Sequence, residues 1–253
     1  SAHAGRFING PEVAVFAAEL ADYLQVEHVI PCANGTDALQ IALMALGLKP
    51  GDEVINASFT YVATAEVIAL LQLKPVLVDV HPDHFTLDVD QVAAAITSRS
   101  KAIIPVHLYG QGADMEPLMA LADKHGLFVV EDNAQAHLSK WEGRFTGTFG
   151  HINATSFYPG KNLGALGDGG AITTNDAKLA EKVRILRNYG SSQKYVNEVI
   201  GYNSRLDELQ AAFLRVKLSN LDKENDIRRD LAHAYLTEIP KLDDFNWTLP
   251  CMA

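Results

Sequence analysis

The 253 residues are 48% apolar and 21% charged, with a net charge of −10. This is the balance of an ordinary globular chain long enough to bury a sizeable core. The negative charge argues against non-specific nucleic-acid binding, which needs a basic surface, but leaves room for a local anion site built from backbone N–H groups. Two cysteines, Cys32 and Cys251, with no CxxC pair, argue against a disulfide scaffold or a zinc ribbon and point to a reducing cytoplasm.

In chain order, "PEVAVFAAELADYL" places Val13, Phe16, Ala17, Leu20 and Leu24 on one helical face, with Pro11 at a first helical position. Short apolar runs then alternate with helical patterns. The runs at 28–33, 53–57, 75–80, 102–108 and 127–132 are followed or separated by helices at 36–46, 61–72, 88–96 and 114–125. Nearly continuous β-branched runs of this length are expected for strands buried on both faces. The alternation predicts a mostly parallel sheet with helices on both sides, a three-layer α/β/α core. "NATSFY" and "GGAITT" read as a strand pair around a glycine turn, and further helices are expected at about 176–188 and 205–235. The charge-rich "LDKENDIRRD" reads as a solvated helix face. The most hydrophobic stretch, 61–80, is interrupted by Glu66, Lys74 and Pro75, so no membrane span is predicted. The chain opens at Ser1 and closes on "NWTLPCMA", and a fragment or trimmed chain is the expectation.

Ligands of an open parallel sheet bind beyond the carboxyl ends of its strands. Gly35 and Thr36 in "CANGTDAL" follow the first strand and open a helix, either as an anion site or as an ordinary cap. "LFVVEDNAQAH" ends a strand on Glu131 and Asp132, with Gln135 and His137 behind. A P-loop is rejected because "TSFYPGKN" has Thr155 in place of the first glycine and Asn162 in place of Ser or Thr. "GALGDGG" is no dinucleotide fingerprint, since it precedes a strand. "HPDH" (81–84) reads as a surface turn rather than a metal site, and no nucleophile elbow surrounds Ser156. Lys161, alone in a Pro-Gly turn, is either a solvated turn residue or a nucleophile. A helix start for phosphate, a strand-end Asp and a lysine bounded by Ser156 and glycines together suit pyridoxal 5′-phosphate, whose aldehyde needs an amine and whose ring nitrogen needs a carboxylate. The glycines of "GALGDGG" then read as backbone flexibility beside a bulky group.

Five stretches, "NGTDAL", "SFTYVATAEV", "VVEDNAQAH", "TSFYPGKNLGALGDGGAITTND" and "GYNSRLDELQAA", resemble in order and spacing the DegT/StrS-type sugar-nucleotide aminotransferases, fold-type I pyridoxal-phosphate enzymes. The resemblance covers essentially 5–235. It implies that Lys161 holds the cofactor through its amine and shuttles the proton, that Asp132 pairs with the ring nitrogen, and that Gln135 lies against the ring. Gly35, Thr36 and Ser156 would hold the phosphate. Tyr61 would stack on the ring, although an aromatic there equally suits core packing. Asn203 would reach the phosphate of a neighbouring subunit, with Arg205 beside it as a carboxylate or substrate contact; without the resemblance these two read as a helix cap and a surface ion pair. Such a composite site makes a homodimer the minimum working unit.

The expected organisation is an N-terminal helical segment (1–25), a cofactor-binding large domain (26–218) and a helical connection (219–253) to a C-terminal small domain that is absent or truncated. The expected reaction carries an amino group, from glutamate, to a nucleotide-linked keto-sugar, with C3 preferred over C4, making an amino sugar for a surface glycan such as O-antigen or for a glycosylated metabolite. The family's dehydratase branch carries histidine in place of the lysine, and Lys161 speaks against it. A regulatory or scaffolding member is the non-enzymatic alternative. Asn133, beside Asp132, departs from the small residue many relatives carry and implies altered hydrogen bonding there.

Overall fold

A computed structural model describes residues 5–241. Its elements are α1 (Pro11–Leu24), β1 (His28–Cys32), α2 (Gly35–Leu46), β2 (Glu53–Ala57), α3 (Ala63–Leu70), β3 (Lys74–Val78), α4 (Val89–Ala95), β4 (Ser100–Ile104), α5 (Met115–His125) and β5 (Phe128–Asp132). They continue with the short hairpin β6 (Lys140–Trp141) and β7 (Arg144–Phe145), then β8 (Ile152–Ser156), β9 (Gly170–Thr174) and α6 (Ala177–Leu186). A second hairpin, β10 (Ser191–Gln193) and β11 (Val196–Asn197), precedes α7 (Glu208–Leu218) and α8 (Leu221–Glu238).

One seven-stranded sheet runs in the order β1-β9-β8-β5-β4-β2-β3. From β8 to β3 every neighbouring pair is parallel, and β9 alone runs against its neighbours β8 and β1. The mostly parallel sheet and the antiparallel pair around the glycine turn therefore stand as expected. Pro31 lies in β1 and Pro75 in β3, the two edge strands, where a missing ladder N–H is tolerated.

Successive strand residues enter opposite cores. Val54, Ile104 and Val130 pack with Leu39, Ile41 and Leu43 of α2 and Val183 of α6. Ile55, Ile103 and Val129 pack with Val92 of α4 and Met115 and Leu118 of α5. With both faces covered, both phases of each strand must be apolar, which is why the runs are continuous rather than alternating.

A third core joins α1 to α7, with Phe16 edge-on to Phe157 at 5.4 Å. The N-cap of α1 is Gly10, which has no side chain to offer. The buried Glu208 carboxylate of α7 replaces it by accepting from the N–H groups of Glu12 (3.0 Å) and Val13 (3.1 Å). Arg215 forks from the same helix onto Glu12 and Glu19. Helix α1 is thus bound into the body of the fold.

Two expectations are corrected. The helix expected over 205–235 is broken at Ser219–Asn220, where the Ser219 hydroxyl and the Asn220 amide both donate to the Val216 carbonyl and compete with the helical ladder. The run 102–108 is not one strand: β4 ends at Ile104, before Pro105, and beyond it only Val106 still bridges to Asp132 of β5. The C-terminal part of the 219–253 connection, 242–253, lies outside the described residues.

At the opposite end of the sheet from the site, Glu53 opens β2 with its side chain only 2% exposed. It accepts from Thr97, Arg99 and Lys74, and these hydrogen bonds hold its carboxyl at about 2, against an ordinary 4.5. A depressed carboxyl contributes stability above its unfolded value and loses it as pH falls through the folded one. Glu53→Gln should therefore lower the melting temperature at pH 7, and the gap from wild type should close between about pH 4.5 and 2. A gap that stays constant over that range would exclude the ionised network as its cause.

Candidate active site

The carboxyl ends of β1, β5 and β8 gather the site. Register aligns Cys32 with Gly170 and Gly170 with Ser156, so the ends of β1 and β8 flank the start of β9. On the other side of β8, Asp132 of β5 lies opposite Ala154. Residues far apart in sequence thereby come to one edge: Gly35 at the head of α2, Asp132, Ser156, and Lys161 in the turn after β8.

Asn34 caps α2 by accepting from the Asp37 N–H at 2.8 Å. The N–H groups of Gly35 and Thr36, in the first turn, have no carbonyl behind them within the helix. A Cβ on Gly35 would sit 2.6 Å from Ser156 Cβ, so only glycine lets the helix head meet the serine. Gly170 is under the same constraint, since its Cβ would lie 2.5 Å from the Asn34 carbonyl. Neither has a left-handed φ. Of the four glycines in "GALGDGG", Gly164 and Gly170 serve close backbone approach, and a Cβ on Gly167 or Gly169 would meet the side chain of Gln210 or Leu206 at 3.0 Å, which replaces the expected flexibility. Ser156 Oγ accepts from the Tyr158 N–H at 3.3 Å, leaving its proton to donate.

Asp132 is 6% exposed. Its Oδ2 accepts from Thr64 Oγ1 at 2.8 Å and its Oδ1 from the Ala134 N–H at 3.2 Å. Burial pushes this carboxyl up, against the pull of Thr64, the Ala134 N–H, His107 and Lys161. Lys161 is half-buried, and burial lowers its amine while the Asp132 charge acts in the opposite direction. A strand-end carboxylate and a lysine whose amine burial lowers thus share one electrostatic field.

The adjacent acid, Glu131, points into different chemistry. It accepts from the N–H groups of Gly147, Phe149 and Gly150 and pairs with His107 at 2.8 Å, both side chains being fully buried. His107 Nδ1 accepts from the Ala113 N–H, so Nε2 carries the proton toward Glu131. The acidic "ED" pair therefore divides into a structural anchor and a site residue, because alternate strand residues face opposite ways.

His137 is also buried, and burial lowers it to about 4 against an ordinary 6.5. A histidine kept neutral in the fold contributes stability above its unfolded value and loses it as pH falls toward the folded one. The expected loss from His137 between about pH 6.5 and 4 is about 3 kcal/mol. Urea titrations of wild type and His137→Gln at several pH values should show a shallower slope in the variant. Equal slopes would remove His137 from the account.

The remaining candidates are placed as follows. Gln135 Oε1 accepts from the N–H of Tyr109 at 3.1 Å, holding a residue with φ of 56°. Tyr61, just before α3, is 69% exposed and so is not core packing. Asn203 is exposed and bridges to Asn188, while the Arg205 guanidinium lies 6.0 Å from the Tyr189 ring. Asn133 is buried, its Oδ1 has no partner, and it packs where Gly147 leaves room. Sequence reading missed Thr64, although "SFTYVATAEV" contains it, and Ser204, whose Oγ accepts from the Ala33 N–H at 3.1 Å. His81 and His84 stack at 4.7 Å in their turn, and no metal-holding cluster of His, Cys, Asp or Glu occurs among the described residues. No helix among them is long and apolar enough to cross a membrane.

Residues 1–250 match the model of the DegT/DnrJ/EryC1/StrS aminotransferase family. The chain belongs to that family. It is 52% identical over 94% of its length to a dTDP-3-amino-3,4,6-trideoxy-alpha-D-glucose transaminase of Streptomyces venezuelae, and 54% identical over 91% to a pleiotropic regulatory protein of Geobacillus stearothermophilus. It spans 63% and 62% of those relatives' lengths. Among solved structures it superposes on DesV of S. venezuelae, in complex with a ketimine intermediate, with a TM-score of 0.96 and 50% identity, covering all of this chain and 67% of that one. The TM-score of 0.96 shows that the chain shares that structure's fold.

Proposed function

We propose that the chain is the cofactor-binding part of a pyridoxal-phosphate-dependent transaminase acting on a nucleotide-linked keto-sugar. The observation that carries the reading is the convergence of Lys161, Asp132 and the Gly35–Ser156 contact at one sheet edge. The donor set fits the cofactor. Free N–H groups at the head of α2 and the Ser156 hydroxyl suit a phosphate. Asp132, with one hydrogen bond on each oxygen, retains acceptor capacity for a cationic ring N–H. Lys161 offers a lowered amine.

When bound, the cofactor supplies an electron sink for the substrate's α-carbon. Lys161 would anchor it and, once released, carry the proton to and from that carbon. Thr64 and the Ala134 N–H would hold the Asp132 carboxylate in its charged form. Gly35, Thr36 and Ser156 would fix the phosphate, and Gln135 and Tyr61 would border the ring. Asn203 and Arg205 would act across a homodimer interface, on the phosphate and on the substrate or donor carboxylate. Residues 26–218 would form the unit that binds the cofactor, with 219–253 leading to further chain.

The S. venezuelae relative's name supports amination at C3, and glutamate remains the proposed donor in a cytoplasmic setting. A regulatory role without turnover is the second reading, favoured by the name of the Geobacillus relative. The presence of both Lys161 and Asp132 weighs against it. The test is spectral. Protein loaded with pyridoxal phosphate should gain visible absorbance, glutamate should bleach it, and borohydride should fix the cofactor on the peptide carrying Lys161. Colourless protein, or label on another peptide, would end the proposal. Nucleotide keto-sugars oxidised at C3 or C4 should then restore the bleached colour selectively.

A further inference from the structure

The loop carrying Lys161 is tied down by residues outside its own motif. The Asn162 amide donates to Asn225 Oδ1 at 2.7 Å, and the Asn225 amide donates to the His137 carbonyl at 3.0 Å. One residue further along the loop, the Leu163 N–H donates to His137 Nδ1 at 3.4 Å. That leaves His137 Nε2 protonated and donating to Thr155 Oγ1 at 3.0 Å. Thr155 in turn donates to the Asn133 carbonyl, next to Asp132. A continuous set of bonds therefore runs from the neighbour of Lys161 to the neighbour of Asp132, with Asn225 and His137 as its inner members.

Asn225 comes from α8, an otherwise solvated and charged helix whose buried residues are Leu221 and Asn225. It is 8% exposed. Leucine there would gain apolar burial, whereas the asparagine uses one atom to accept and the other to donate, a pairing that neither leucine nor aspartate reproduces. The position favours hydrogen-bond geometry over packing, and the geometry it holds is that of the lysine loop.

We propose that Asn225 is a positioning residue that, through Asn162 and His137, fixes the Lys161 loop so that the amine stays at the Asp132 end of the sheet. The inference rests on Lys161 as the cofactor-bearing lysine.

The test uses the full chain and the variants N225L, N225D, N162A and N162A/N225L. Competitive acylation, read on the Lys161 peptide before the cofactor is added, reports the amine directly. In N225L and N162A the acylation midpoint should rise toward that of an ordinary lysine, as the loosened loop lets water reach the amine. N225D keeps the bond from Asn162 but loses the one to His137, and should fall between wild type and N225L. Loaded protein should lose roughly 10- to 100-fold in kcat with little change in the sugar's KM. The double variant should be no worse than the poorer single one. An unchanged midpoint in N162A and N225L, or effects of the two that multiply, would overturn the positioning role even if stability falls. N162A alters only the loop side of the bond and covers the case in which N225L does not fold. Failure of borohydride to label Lys161 in wild type would instead overturn the transaminase reading, and the acylation midpoints would still report on the loop.

Discussion

Lys161→Ala is expected to lower transamination by roughly 10⁴-fold or more while the protein stays folded. The side chain is half-buried, and among the described residues it makes no ion pair; its backbone N–H bonds to the Tyr158 carbonyl and survives the change. Burial lowers the amine, so the fold gains nothing from holding the charge, and removing it should leave stability at neutral pH unchanged or slightly higher. Chemistry should respond in the opposite way. The amine would be both the attachment point and the base for each half-reaction, and among the described residues no other lysine belongs to the cluster at the Asp132 edge. Cofactor should still bind through the Gly35–Ser156 cradle, now released by dialysis and unresponsive to borohydride. Purified variant assayed with glutamate and keto-sugar, beside a thermal melt, decides the matter. Turnover near wild type would remove Lys161 from the mechanism, and a collapsed melt would make it structural.

Asp132→Asn separates charge from shape. Asparagine can keep accepting from the Ala134 N–H through its single oxygen, while its amide nitrogen donates to the Thr64 hydroxyl, so the frame persists with that one bond reversed. Burial raises the folded carboxyl, and a raised carboxyl contributes stability only at low pH and loses it as pH rises through the folded value. At neutral pH the wild-type chain without cofactor therefore carries a cost that the variant escapes, and its melting temperature should be equal or higher. Activity should fall roughly 10²- to 10³-fold, the range for removing a preorganised electrostatic partner. Cofactor affinity should fall with it, because a cationic ring nitrogen would lose its counter-charge. Parallel melts of unloaded protein and kcat measurements on loaded protein test the pair of effects. Lower stability with intact kcat would make Asp132 a scaffold residue.

Much of this was legible in the residues. The strand runs announced a parallel sheet because burial on both faces demands apolar side chains in both phases. The separation of Lys161 from a P-loop followed from single residues, Thr155 and Asn162, at positions that motif requires to be otherwise, and from a dinucleotide fingerprint because "GALGDGG" precedes a strand. Lys161 became a cofactor-lysine candidate through the distant Asp132 and Gly35–Thr36, not through the spacing around it, and the resemblance of five stretches to one family then implied its role. Less was legible at the break between α7 and α8, where two side chains bonding to one carbonyl defeated a continuous helical pattern. The short hairpins β6–β7 and β10–β11 are too brief to leave a period.

The local pattern of apolar and polar residues was enough to establish the α/β class, the parallel majority of strands and the ends at which a site would lie. Those properties depend on neighbours within a few residues, through strand alternation, helix periodicity and turn chemistry. Partnership across the fold was decided elsewhere. That Glu131 anchors a loop while Asp132 faces the candidate site, that Thr64 bonds that carboxylate, and that Asn225 reaches the Lys161 loop from α8 all depend on strand order and helix packing. Residues 60 or more positions apart become hydrogen-bond partners only when the sheet sets its register, and no local propensity encodes a distance of that kind.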